Sequence, residues 1–156
     1  MTVEELLAIE EIRQLKARYF HAMDQKRWDD WEDCFCEDVL IDTTQEGAPL
    51  LRGRQAFRAY LEPLLEGVKT VHHGHTSEIQ LTGPDSATGT WAMEDHLWWP
   101  ATKGAMVLWG TGFYFEEYRR ETDGRWRIQH LKLRRTRTEV NGKQTFPPGE
   151  DGDSGN

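Results

Sequence analysis

The chain has 156 residues, the length of one compact domain, and carries 27 acidic against 19 basic side chains, a formal charge of −8. A surface of that sign repels phosphate backbones and argues against nucleic acid as a partner. No apolar run approaches the length of a membrane-spanning helix, and the acidic first ten residues lack the basic-then-apolar pattern of a secretion signal. Cys34 and Cys36, two positions apart, are read as reduced thiols of a cytoplasmic protein.

The first predicted element is a helix from Val3 to Met23. Ile9, Ile12, Leu15, Tyr19 and Met23 recur at spacings of three or four and share one face. Thr2 with Glu5 forms a capping box at its start. A shorter helix follows from Trp28 to Cys36, with Trp28, Trp31 and Phe35 inward, then a short strand from Val39 to Thr43. Gly53 precedes a third helix, Arg54 to Glu66, with Phe57, Leu61 and Leu64 inward. After Gly67 the pattern turns to strands over 70–81, 86–99, 105–119 and 125–140. Gly83-Pro84, Pro100 with Gly104, and Asp123-Gly124 separate them, the last a hairpin signal. Gly110 and Gly112 mark a bend or bulge. Helices followed by a meander predict an α+β domain over 1–145, with the helices packed on one face of a curved antiparallel sheet. Residues 146–156, rich in Gly, Pro and Asp, read as a disordered tail.

The chain lacks a P-loop, a Gly-rich dinucleotide turn, a nucleophile elbow and the H-E-x-x-H pattern, so its chemistry is sought in polar residues on inward faces. Tyr19 lies on the apolar stripe of the first helix and Asp24 ends that helix, where the dipole disfavours a carboxylate unless a cation is near. In Thr70-Val71-His72-His73-Gly74-His75, strand alternation separates His72 from His73 and His75. The latter two could supply two metal ligands, but no carboxylate or cysteine evidently completes a set, and no metal is expected. His72 is a candidate general base, since the imidazole side chain as a class changes charge near neutral pH. Trp91, Met93, Asp95, Leu97 and Trp99 share a face, so Asp95 is an acid among apolar neighbours, a setting that raises a carboxyl pKa and suits a proton donor. Glu94 and His96 point the other way and read as surface residues. In the last strand Arg135 follows Leu131 and Leu133 by alternation, with Arg134 and Arg137 as competitors.

Taken together, Tyr19-x4-Asp24 on a first helix, a T-x-H-H strand with His72, the Trp91 to Asp95 strand and a late W-x-I strand (Trp126, Ile128) resemble the SnoaL-like superfamily, which shares the nuclear transport factor 2 fold. The resemblance spans about residues 4 to 140 and implies a cone: helices closing a strongly curved antiparallel sheet around a pocket. Within the superfamily the pattern is most similar to the branch of bile acid 7α-dehydratase, scytalone dehydratase and hexachlorocyclohexane dehydrochlorinase. That likeness implies a His72–Asp24 dyad, with Tyr19, Asp95 and Arg135 completing the catalytic set, and no cofactor. It also implies an elimination; the relatives' substrates do not carry over, but an apolar, tryptophan-lined pocket would fit a hydrophobic cyclic molecule such as a steroid or polyketide. Trp91, Met93 and Trp99 are expected to bind that substrate, since seven tryptophans are a heavy load for 156 residues. Apolar residues from Val107 to Phe115 suggest a dimer or trimer formed through the sheet. An isomerase or cyclase with Asp95 as base, and a binding module without turnover, remain as alternatives.

Overall fold

The structure, a computed structural model, describes residues 1–148. Most of the expected tail, residues 149–156, therefore lies outside the described residues. The chain forms helix α1 (Val3–Asp24), helix α2 (Trp28–Glu32), strand β1 (Phe35–Asp42), strand β2 (Leu51–Arg52) and helix α3 (Arg54–Leu65). The long strands β3 (Lys69–Gly83), β4 (Ser86–Trp98), β5 (Val107–Arg120) and β6 (Trp126–Val140) follow, and β7 (Lys143–Phe146) ends the sheet. Among the described residues no helix is long and apolar enough to cross a membrane.

The first helix forms as its sequence dictates. The Thr2 hydroxyl accepts the Glu5 N–H while the Glu5 carboxylate accepts the Thr2 N–H, and Ile12, Leu15, Tyr19 and Met23 are buried. The second helix stops four residues earlier than predicted. Phe35 and Cys36 instead open β1, which pairs with β6. That pairing is parallel, whereas every other strand pair is antiparallel. The sheet is thus mixed, in the order β2-β1-β6-β5-β4-β3 with β7 on β6, and stays open. Among the described strands the sheet is antiparallel as expected, with this one join as the exception. The connection from β1 to β6 spans most of the chain, and local turn signals carry no information about it.

The sheet curves into a cone, and α1 lies across its concave side. Gly74 permits the close approach: a Cβ there would sit 2.6 Å from the Phe20 ring. Trp31, Phe35 and Phe57 pack together in the core, with the Trp31 ring centroid 4.8 Å from both phenyl rings. Bulges bend the long strands after His75 in β3 and between Thr111 and Gly112 on the β5–β6 pair. At the second bulge the strands nearly touch, and a Cβ on Gly112 would lie 2.7 Å from the Cα of Arg135. Gly112→Ala should therefore lower stability by about 1–3 kcal/mol. Urea denaturation tests this, and an unchanged midpoint would show that the β6 backbone yields freely at that point.

Candidate active site

A cavity of about 510 Å³ opens between α1, α3 and the concave sheet. Its walls are mostly Leu, Met and aromatic side chains, among them Leu61, Leu97, Trp99 and Leu133, while His72, Asp95, Tyr19, Tyr114 and Arg135 supply its polar groups.

His72 reaches the cavity from the inner face of β3, with its ring stacked 6.1 Å from that of Phe20. Behind it, Asp24 ends α1. One Asp24 oxygen lies 2.7 Å from His72 Nδ1 and also accepts the Thr70 hydroxyl at 2.8 Å. The other accepts the His72 backbone N–H at 2.9 Å. A carboxylate can only accept, so this contact places a ring proton on Nδ1 and turns Nε2 toward the cavity. The unfavourable dipole at the helix end has its counterpart in Lys26, whose ammonium donates to the Thr70 hydroxyl at 3.1 Å. Burial alone would raise the Asp24 carboxyl, but the hydrogen bonds from His72 and Thr70 outweigh it and hold the group below its ordinary range.

Asp95 faces His72 across the β3–β4 register, with Oδ2 3.8 Å from His72 Nε2. Both Asp95 oxygens also accept N–H bonds from Arg135, each at 2.8 Å, in a two-pronged fork. Arg135 further contacts Glu46, and Gln45 brackets its backbone, accepting its N–H at 2.6 Å and donating to its carbonyl at 3.3 Å. Burial alone would lower the Arg135 pKa, but its bonds to Asp95 drive it upward. The expected role of Asp95 as a protonated donor finds no support here: its two oxygens are occupied as acceptors from a cation. The three arginines are separated by the β6 bulge. Gly112 pairs with Arg135 and Thr111 with Arg137, so Thr136 is the extra residue and alternation breaks beyond it. Arg137 therefore turns outward to Glu139 at 2.8 Å, and Arg134, which alternates with Arg135 and so also lies on the outer face, binds Asp42 at 2.9 Å.

Tyr19 faces the cavity, its hydroxyl 3.5 Å from that of Tyr114. Burial raises the pKa of both, so both remain phenols able to donate. Below them lies a wholly buried ion pair, Lys16 to Glu116 at 2.8 Å, with the ammonium 3.9 Å from the Tyr19 ring centroid and 3.6 Å from that of Tyr114. Burial pushes Lys16 down and Glu116 up. Tyr114, Gln45, Glu46 and this pair escape the sequence reading. Inward alternation along β5 could have flagged Tyr114 and Glu116, whereas the two turn residues gave no local signal.

Of the expected substrate contacts, Trp99 lines the cavity and Trp91 and Met93 do not. The correction has a geometric cause. Trp91 and Met93 lie on the inner face of β4 and Trp99 just past its end, but α1 covers the part of the sheet where Trp91 and Met93 lie. The Trp91 indole is committed there, donating to the Tyr118 hydroxyl at 2.8 Å. His73 and His75 point to the outer face, as alternation requires, and Glu94 joins them there as a carboxylate the sequence reading did not connect with them.

Because Asp24 is depressed in the folded state, its contribution to stability is complete above the ordinary aspartate pKa of about 4 and disappears as pH falls through the lower folded value. Wild-type protein should therefore lose more thermal stability than Asp24→Asn between about pH 5 and pH 3. Superimposable losses in calorimetry would show that the hydrogen bonds do not hold the group down.

The sequence matches a family model described as a SnoaL-like domain over residues 4–132. Solved structures share the fold. A candidate scytalone dehydratase from Novosphingobium aromaticivorans is 23% identical, with 89% of this chain and 91% of that one covered and a TM-score of 0.75. A hexachlorocyclohexane dehydrochlorinase of type 2 is 17% identical, with 94% and 98% covered and a TM-score of 0.78. A protein of unknown function from Mycobacterium tuberculosis, solved as a variant with one aspartate changed to asparagine, is 28% identical, with 85% and 78% covered and a TM-score of 0.71. Cone, cavity and family match agree, and the chain belongs to the SnoaL-like family.

Proposed function

We propose that the chain is a cofactor-independent lyase of the dehydratase type, acting on a hydrophobic cyclic small molecule such as a steroid or polyketide. One observation carries this reading: His72 is held at Nδ1 by Asp24 and presents Nε2 to an apolar cavity. A bare nitrogen with its partner nitrogen bonded to a carboxylate is the arrangement of a general base, because the carboxylate stabilises the imidazolium formed on proton transfer. The dehydratase and dehydrochlorinase names among the structural neighbours accord with it.

In the proposed reaction His72 Nε2 removes a proton from carbon beside a carbonyl. The C–H electrons form the new C=C bond as the C–O bond to the leaving hydroxyl breaks, and the His72 imidazolium returns its proton to the departing oxygen, which leaves as water. Tyr19, with Tyr114 beside it, donates to the developing enolate. Asp95 and Arg135 act as a fixed ion pair that places a carboxylate near the imidazolium. Because the guanidinium already serves two carboxylates, it does not favour an anionic substrate group. A neutral ring system therefore suits the cavity better than an acid. The exposed Phe113, Phe115, Trp98 and Val107 on the outer face support assembly of two or three copies through the sheet.

The alternative of an isomerase or cyclase with Asp95 as base is less well supported, since the Arg135 fork engages both of its oxygens. Neutral β-hydroxy-ketones of polycyclic compounds are the substrates to test, read by mass spectrometry for loss of water. We expect His72→Gln to cut the rate by about 10²–10⁴-fold. Asp24→Asn should cost less, and nitrogen NMR of the imidazole should show the Nδ1–H form of the wild type disturbed. A product isobaric with its substrate, formed equally well by His72→Gln, would replace elimination by isomerisation. A ligand bound tightly and recovered unchanged would make the chain a binding module.

A further inference from the structure

On the face of the sheet turned away from the cavity, His73 and His75 of β3 meet Glu94 of β4. The two nitrogens, His73 Nδ1 and His75 Nε2, lie 3.6 Å and 3.1 Å from the same oxygen, Glu94 Oε1, and all three donor atoms fall within 4.8 Å of one another. Hydrogen bonding accounts for only part of this. The His75 contact is within hydrogen-bond range, but 3.6 Å is too long for His73, which still turns toward the same oxygen. Zinc held by nitrogen and oxygen at about 2.0–2.1 Å separates its ligands by roughly 3.3 Å in a tetrahedron. The two separations from Glu94 Oε1 bracket that edge.

The chemistry of the donors points the same way. Two imidazoles and one carboxylate form a ligand set that zinc uses when its fourth position is left to water or another molecule. The side chains are 52–56% exposed on the histidines and 35% on the glutamate, so a cation can reach them without opening the core. The chain's charge of −8 favours that approach. Register and bulge create the site together. His73 lies directly opposite Glu94, while His75 is diagonal to it and precedes the bulge that interrupts pairing between His75 and Glu78. β3 is an edge strand, so the cluster flanks the apolar patch of β4 and β5.

We propose that His73, His75 and Glu94 form a zinc-binding site on the outer face, in which the ion joins β3 to β4. The site does not depend on the elimination chemistry. Its position is nonetheless pointed: His73 and Glu94 are paired one step along the ladder from His72 and Asp95, which face the cavity. An ion there would pin the two strands at the register that sets the distance from the imidazole to the carboxylate.

The experiment is calorimetric titration of tag-free, chelator-stripped full-length protein with zinc chloride, with magnesium chloride as the hard-cation control, and melting curves taken in parallel. We expect one zinc per chain, a higher melting temperature on zinc addition, and no response to magnesium. His73→Ala, His75→Ala and Glu94→Gln should each weaken binding at least tenfold. Loss of a supporting outer-shell group alone costs about 10–100-fold, and these are the ligands themselves. His96→Ala and His130→Ala, histidines outside the cluster, should leave it unchanged. All five positions are on the surface or partly exposed, so melting of the metal-free variants will show that they fold. Zinc uptake undiminished in the three cluster variants would overturn the site, as would absence of uptake in the wild type. One ion per two chains would also overturn it, because the ligand set would then belong to an assembly.

Discussion

Helix α1 carries two charged side chains, Lys16 and Asp24, into the interior of the cone, and the sheet must supply a partner for each. Glu116 on β5 meets Lys16 and His72 on β3 meets Asp24. The two positions are eight residues apart, about 12 Å along the helix. Burying either charge alone would be far more costly than burying the pair. A helix held at two points cannot slide or roll on the sheet without breaking one of them. Apolar packing of Ile12, Leu15 and Met23 would tolerate such movement more readily, because it is not directional. These two contacts thus fix the register that puts Tyr19, between them, at the cavity wall and His72 in front of Asp24.

The same reasoning applies at the far wall. Arg135 is almost buried and would be intolerable there without acceptors; Asp95 supplies two oxygens and Glu46 a third contact. Gly110 is the steric condition for this fork, since a Cβ on it would reach within 2.8 Å of the Asp95 carboxylate. The β6 bulge is the topological one. By turning Arg137 out while leaving Arg135 in, it admits a single guanidinium to the cavity from this run of three arginines.

How much of this was legible follows from the range of each interaction. The helix α1 stripe, its capping box and the four long strands are encoded within a few residues and were read close to their observed bounds. The pairing of Asp24 with His72 spans 48 residues, and only the family resemblance suggested it. Lys16 interrupted the apolar stripe and was passed over, because a lysine declares its burial only when Glu116, a hundred residues on, is placed against it. The parallel join of β1 to β6, the choice among Arg134, Arg135 and Arg137, and the meeting of Glu94 with His73 and His75 all depend on strand order, register or a bulge. Alternation sorted faces correctly along β4, yet it could not tell which part of the inner face α1 would cover. Trp91 and Met93 were therefore assigned to the cavity when they belong beneath the helix.

The charges around the cavity also constrain how a substrate can sit. Asp24, Asp95 and Glu46 bring three negative charges and Arg135 one positive charge, with His72 between the two aspartates. In the proposed reaction, proton transfer to His72 Nε2 would place a positive charge between two carboxylates. The opposite charge, growing on the substrate oxygen, would be repelled from the same place. It is better accommodated at the Tyr19–Tyr114 end, where two phenols can donate and the Lys16 ammonium lies behind their rings. Under the proposed elimination, a bound ring system would be oriented with its acidic C–H toward Nε2 and its carbonyl toward the tyrosines. The apolar walls then need only match its outline, since the polar groups at the two ends decide which way round it binds.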